Sequence, residues 1–330
     1  MLFLSCKSRQ AKVKEAQQHS SKSKIAIIDP EALSILDSTA TIEVVAKGFN
    51  WTEGPLYISD GDYFIFSDIP ANKIYKWKDG QKVTPYLMPS GNSETTVVET
   101  KEPGSNGLLL HPDGQLVLCQ HGDRRMAKMI APLNNPRPEF VTLADNYKGK
   151  RLNSPNDAVY HSNGDLYFTD PPYGMDKGID DPKRELDFQG VYRLKPTGEL
   201  DLLTKELRYP NGIALSPDGK FLYVASSDGA NYIWMQYELD ANGLAKNQHL
   251  FYEAHSYEGK KLGAPDGMKI NKRGYLFATG PEGVWLFNPA GKLIARLYTG
   301  QLTSNCALSL DERVLFMTCD DYIMQVKLKK

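Results

Sequence analysis

Six residues of one chemical kind recur along this chain: Glu53, Asn106, Asn156, Asn211, Asp266 and Asn305. Each is a carboxylate or a carboxamide, and each opens the same local pattern. The copies read EGPLYISDGDYFIFS, NGLLLHPDGQLVLCQ, NDAVYHSNGDLYFTD, NGIALSPDGKFLYVA, DGMKINKRGYLFATG and NCALSLDERVLFMTC. In five of them a glycine stands eight residues on, at Gly61, Gly114, Gly164, Gly219 and Gly274, and Arg313 is the exception. A lone Asn-Gly or Asp-Gly is a turn cap and nothing more. Six in register can aim six oxygen donors at one place. Two of the six are acidic, and two carboxylates converging in a low-dielectric throat repel unless something compensates them. A hard cation does so, and oxygen-rich, sulfur-free ligation suits Ca²⁺, Mg²⁺ or Mn²⁺.

Each copy is two β-prone runs around a tight turn, which reads as a hairpin. A third run follows at Lys73–Trp77, Met126–Ala131, Gly190–Leu194, Trp234–Leu239, Gly283–Phe287 and Ile323–Lys327. A fourth follows at Val83–Met88, Glu139–Ala144, Asp201–Glu206, Gln248–Tyr252 and Leu293–Tyr298. Repeats of about 40–50 residues built from short strands are the signature of a propeller. The last repeat lacks a fourth run, and the alternating stretch Thr41–Phe49 can supply it, closing the ring and removing the exposed edges. The sequence therefore predicts an all-β fold, a six-bladed β-propeller of four-stranded blades around a central channel. Residues 25–330 form this single domain, with a strand and then a short helix expected within Ile25–Ala40.

In a propeller the first strand of each blade lines the channel, so the six recurring residues lie at one end of it. Loops after the second strands rim that mouth. They include Asp68–Pro70, His121–Arg125, Asp170–Gly174 and Ser226–Asn231, so His121 and Arg124 are expected to face the cavity. The loop Pro171–Gln189, with Tyr173 near its start, is long enough to act as a lid over the mouth.

The chain has 330 residues, 41% hydrophobic and 24% charged, with a net charge of −1. There is ample material for a core and no basic surplus that argues for nucleic acid. No apolar run reaches the ~18 residues of a transmembrane helix. The cysteines are Cys6, Cys119, Cys306 and Cys319, without zinc spacing. Counting about the last hairpin turn sets Cys306 and Cys319 across from one another. They read either as two buried thiols or as a cross-strand disulfide, whose geometry would be strained.

Residues 1–24 are read as a flexible N-terminal tether or signal remnant. Met1–Cys6 is a short apolar start and Lys7–Lys24 is polar and basic. The start resembles the end of a bacterial lipoprotein signal, in which Cys6 would carry a lipid anchor. It departs from that pattern in its short apolar region, its lack of a preceding basic residue and its Phe3. One reading puts the protein in the periplasm or cell envelope. The other is a disordered tail on a cytoplasmic protein.

The runs HGDRR, KRLNSPND, YFTDPPYG and YPNGIALSPDGKFLYVA together resemble bacterial gluconolactonases. These belong to the family of senescence marker protein, gluconolactonase and luciferin-regenerating enzyme, and the resemblance covers nearly the whole chain after about residue 41. It implies a six-bladed propeller that hydrolyses sugar lactones with one divalent cation, Ca²⁺ foremost, with Zn²⁺, Mg²⁺ or Mn²⁺ as alternatives. The family's ligands fall here on Glu53 of EGP, Asn211 of PNG and Asp266 of PDGM. Asn156 falls where an Asn contacts metal, its water or substrate. Asp266 corresponds to the proposed proton acceptor. A metal-bound carboxylate is a weak base, however, and Asp266 as orienter of an acidified water is the alternative. Asn106, His121, Arg124, Tyr173 and Asn305 are the candidates to hold the sugar hydroxyls. Ser154 stands where animal members carry a substrate-binding Arg, so hydroxyl recognition must differ. A lactonase is the first reading. A metal-assisted phosphotriesterase or aryl esterase on the same scaffold is the second, and a non-catalytic, cation-stapled propeller is the third.

Overall fold

The computed structural model describes residues 23–93, 100–254, 257, 259 and 262–329, so the expected tether and Cys6 lie outside the described residues. The inner hairpin strands are Thr52–Ile58 and Tyr63–Asp68, Ser105–Leu110 and Leu116–Gln120, Ala158–Tyr160 and Leu166–Asp170, Pro210–Leu215 and Phe221–Asp228, Met268–Ile270 and Leu276–Gly280, and Thr303–Leu308 and Val314–Cys319. Each hairpin carries two outer strands, all antiparallel, to give six sheets around one axis. The predicted third and fourth runs fall on these outer strands within a few residues.

The second strand of each blade shows why the sequence folds this way. It is sandwiched between two neighbouring blades, so side chains pointing to opposite faces both need to be apolar. In the first blade Tyr63 and Ile65 join the core shared with blade two, whereas Phe64 and Phe66 join the core shared with blade six. In the third blade Leu166 and Phe168 face blade two and Tyr167 faces blade four. The described residues form six apolar clusters, and each fills one blade-to-blade seam.

The ring closes as expected. Glu43–Lys47 pairs with Tyr322–Lys327, Val44 opposite Met324, as the outer strand of blade six. A further strand, Lys24–Ile27, adds to the outer edge of blade five with Ile25 opposite Leu297, making that sheet five-stranded rather than four-stranded. The short helix follows as a 3₁₀ turn, Pro30–Ser34, capped by Asp29, whose Oδ1 accepts from Glu31 N at 2.8 Å. Ala32 and Leu36 from this segment complete the seam between blades five and six.

The last blade departs from the predicted register. A bulge between Thr303 and Asn305 sets Cys306 opposite Met317 and Cys319 opposite Thr303. The two thiols are therefore not opposed; both are free and buried in one apolar cluster. In the other blades the left-handed turn position is the repeat glycine, as at Gly114 (φ 87°) and Gly164 (φ 92°), but here it is Glu312 (φ 57°), one residue earlier than the expected position of Arg313.

The seam between first and last blades generates a prediction. Phe316 is fully buried and stacks on Phe64 at 3.9 Å between ring centroids and 3° between planes. Phe316→Ala should cost about 3–5 kcal/mol, as truncations of buried aromatics do, measured as a lowered urea midpoint. An unchanged midpoint would mean that this seam unfolds independently of the rest.

Candidate active site

The inner strands approach one another closely at their channel ends. Gly107 N donates to Asn156 O at 2.8 Å, and Gly267 N donates to Ser304 O at 2.8 Å. A Cβ at Gly212 would lie 2.2 Å from Asp266 O, so no other residue fits there without moving backbone. Hydroxyls of the second strands tie the same points: Ser67 Oγ donates to Asn106 O (2.9 Å) and Thr169 Oγ1 to Asn211 O (2.7 Å). The glycine that follows Glu53, Asn106, Asn211 and Asp266 thus lets neighbouring strands converge and carries the preceding side chain to the channel mouth.

Five of the six predicted residues, Glu53, Asn106, Asn156, Asn211 and Asp266, line one cavity of about 180 Å³ at that mouth, together with Tyr173. Asn305 does not. In blade six the backbone position equivalent to the others belongs to Ser304, which accepts from Gly267 N and from Thr279 Oγ1 (3.0 Å). Asn305 instead matches Asp157: the Oδ1 of each accepts from the next backbone N–H, Cys306 N at 2.8 Å and Ala158 N at 2.9 Å. The missing glycine at Arg313 was the sequence signal of this one-residue slip. Asn305 serves the site from behind, donating Nδ2 to Glu53 Oε2 at 3.2 Å.

The mouth is rich in buried oxygens without partners. Among the described residues, Asn106 Oδ1, Asn211 Oδ1, Asp266 Oδ1 and the Tyr173 hydroxyl make no hydrogen bond. Asn211 is held by its other end. Ser227 Oγ donates to Pro265 O at 2.5 Å and so accepts from Asn211 Nδ2 at 2.9 Å, which leaves Oδ1 to the cavity. Glu53 is 2% exposed, and burial pushes its carboxyl up to about 8, with the Asp157 charge adding to the shift. Burial first, and then Glu53 and Asp157, drive Asp266 well above the carboxylate range. Asp157 lies behind the mouth with Lys269 Nζ 4.0 Å away. Among the described residues no group of three or more His, Cys, Asp and Glu side chains is arranged for a metal. A cation held here would rest on the Glu53 and Asp266 carboxylates and on carboxamide oxygens, and the unpaired oxygens fit such an ion.

The rim differs from expectation. Arg124 is not among the residues that line the cavity; its guanidinium donates to Leu152 O (2.9 Å), Asn153 O (3.0 Å) and Lys183 O (3.0 Å), fastening the Pro171–Gln189 loop to the base of blade three. His121 is fully buried beneath the rim. Its ring nitrogens make no hydrogen bond among the described residues, and Glu102 Oε2 is 3.6 Å from Nδ1. Glu102 does line the cavity, as does Trp51, and neither stood out in the sequence; Ser227 also lines it, from the predicted rim loop Ser226–Asn231. Ser154 is an anchor. Its hydroxyl donates to Pro171 O (2.6 Å) and accepts from Gly174 N (2.9 Å), bracketing Tyr173, whose ring stacks on Tyr209 at 5.9 Å.

Two outcomes follow from this geometry. In cation-stripped protein the folded state keeps the Glu53 proton up to about 8, whereas the unfolded chain releases it in the ordinary carboxylate range. The folded state therefore binds the extra proton between those values, and stability falls as pH rises through them. The melting temperature should drop over that interval, and Glu53→Gln should flatten the slope; a rise in the wild type would contradict the assignment. For the loop, Arg124→Lys keeps the charge but loses the fork that grips three carbonyls. It should raise KM several-fold at little cost in kcat. Equal effects on both constants would argue against a latch.

Residues 51–320 match the SMP-30/Gluconolactonase/LRE-like region. Over 312 residues the chain is 40% identical to a gluconolactonase of Zymomonas mobilis subsp. mobilis, covering 93% of this chain and 86% of that protein. A solved gluconolactonase from Xanthomonas campestris superposes with a TM-score of 0.78 at 26% identity, covering 93% of this chain and 95% of that one. A calcium-binding regucalcin from Agrobacterium tumefaciens has the same fold, with a TM-score of 0.64 at 17% identity over 87% and 94% of the two chains. A channel mouth lined by Glu, Asn and Asp at the repeat positions, on a match of this extent, means that the chain belongs to the SMP-30/gluconolactonase/LRE-like family.

Proposed function

We propose that this protein is a lactonase, a hydrolase of carboxylic esters, that opens a sugar lactone to its hydroxy acid with one divalent cation, Ca²⁺ foremost, in the channel mouth. The observation that carries the reading is the convergence of unpaired Asn106 Oδ1, Asn211 Oδ1 and Asp266 Oδ1 on one small cavity beside a Glu53 whose ionisation is suppressed. The similarity to a gluconolactonase supports the substrate class.

Glu53, Asn156, Asn211 and Asp266 would hold the cation. When bound, a divalent cation polarises a carbonyl and stabilises the charge that develops on its oxygen. The chain's own groups do the rest. Asn106 and the Tyr173 hydroxyl, both unpaired at the wall, hydrogen-bond the ring hydroxyls and fix the ester in the throat. Asp266 Oδ1 receives a proton from the attacking water as the new C–O bond forms. The acyl C–O bond of the ring then breaks, and the same proton passes to the departing ring oxygen, so that one water is added across the ester. Tyr173 and the loop behind it narrow the mouth and exclude competing solvent.

Glu53→Gln and Asp266→Asn keep shape but each removes a charge. Turnover of glucono-1,5-lactone should fall by about 10²–10³ in each. Excess Ca²⁺, Mn²⁺ or Zn²⁺ should restore part of the loss in Glu53→Gln and less in Asp266→Asn, which also lacks the proton acceptor. Rates close to wild type in both variants, with metal content unchanged, would reduce the oxygen ring to a structural staple.

A further inference from the structure

The catalytic cavity adjoins a second and larger one. This compartment measures about 310 Å³ against about 180 Å³, and the two share Trp51, Ala264 and Asp266 as a common wall. Together they reach the range of ~300–1,000 Å³ usual for small-molecule sites, which the throat alone does not. Beyond the shared wall, the compartment offers fewer unpaired oxygens than the throat. Its remaining walls include Tyr232 and Leu302, with Thr303 and Ser304 as its polar members. Both of those hydroxyls are bonded within the fold: Thr303 Oγ1 lies 2.7 Å from Thr299 Oγ1, and Ser304 Oγ donates to Thr52 O at 2.7 Å. In the throat, by contrast, buried oxygens stand unpaired. A sugar ring entering the compartment would lose water from its hydroxyls and find few partners for them. An alkyl or aryl group would gain aromatic and aliphatic surface without that cost.

We infer that the compartment bounded by Trp51, Tyr232 and Leu302 is a substrate subsite for an apolar substituent on the lactone ring, so that the protein takes alkyl-substituted δ-lactones as well as bare sugar lactones. The inference rests on the lactonase reading, because Asp266 stands at the junction of the two cavities. The ring occupies the oxygen-lined throat, and the substituent on the carbon beside the ring oxygen extends past Trp51 and Asp266. Burying one methylene is worth a factor of about 4 in affinity, so even a partly buried pentyl chain is detectable.

δ-Valerolactone and δ-decalactone share a ring and differ in one pentyl chain, which makes them the diagnostic pair. In the wild-type protein loaded with Ca²⁺, KM for δ-decalactone should be at least about tenfold lower, with similar kcat. Tyr232→Ala should reduce that advantage several-fold. Leu302→Trp, which fills the compartment, should abolish it, with thermal melts confirming that both variants fold. Equal KM values in the wild type, or an advantage kept in both variants, would overturn the subsite. Calorimetric binding of the ring-opened 5-hydroxydecanoate against 5-hydroxypentanoate reads the compartment without turnover. Chain-dependent binding in the absence of any lactone hydrolysis would sink the lactonase reading and keep the subsite. Hydrolysis with no dependence on the chain, in kinetics and in binding alike, would do the opposite.

Discussion

Two carboxyl groups from distant parts of the chain share one narrow throat, and they cannot both be charged there without help. Glu53 comes from blade one and Asp266 from blade five; burial raises the proton affinity of both, the Glu53 charge adds to the rise at Asp266, and Asp157 adds to it at each. A fold that only needed stability would have replaced such a pair with apolar side chains, because buried charge is a poor stabiliser. Keeping it means keeping a site whose resting state is strained toward neutrality and which an added positive charge relaxes. The surrounding amides continue the same logic. Asn305 and the Gly54 backbone steady one oxygen of Glu53, and Ser227 turns Asn211 so that its carbonyl faces inward.

That throat depends on how tightly six strands can crowd one axis. Where a glycine follows the recurring residue, neighbouring backbones come within hydrogen-bond reach of one another. Blade three has Asp157 at this position and blade six, by structural register, has Asn305; both fold their side-chain oxygen back onto the next N–H. The channel therefore carries a third carboxylate behind the first two, with Lys269 as its neighbour. The charge at the mouth is therefore set by Asp157 and Lys269 as well as by Glu53 and Asp266.

Much of this was legible in the chain. A second strand buried on both faces must be apolar at successive positions, and that density, repeated six times around a turn glycine, marks a propeller. The closing strand was legible because its absence at the C-terminus was. Register was harder, since a bulge displaces every side chain after it and leaves composition untouched. Asn305 looked like its counterparts although Ser304 holds their place. The rim was harder still. Whether Arg124 faces solvent, substrate or backbone depends on carbonyls 28 and 59 residues away, and no local pattern records them. Trp51 and Tyr232 shape the second cavity from blades one and four, and in the chain they read as ordinary strand-edge aromatics.

The strand Glu43–Lys47 has a consequence for how the molecule comes into being on the ribosome. Its partner lies 282 residues further on, as the contact of Glu43 with Gln325 records. At ~5–20 residues per second that separation is on the order of tens of seconds of synthesis. Throughout it the nascent chain holds an unmated β-strand and a growing fan of blades with an open side, the kind of edge that recruits strands from other chains. Asp266 emerges late and blade six later still, so the channel mouth is assembled only near the end of synthesis. The burden of keeping the half-made ring soluble falls on its early seams, above all the apolar clusters between blades one and two and between blades two and three.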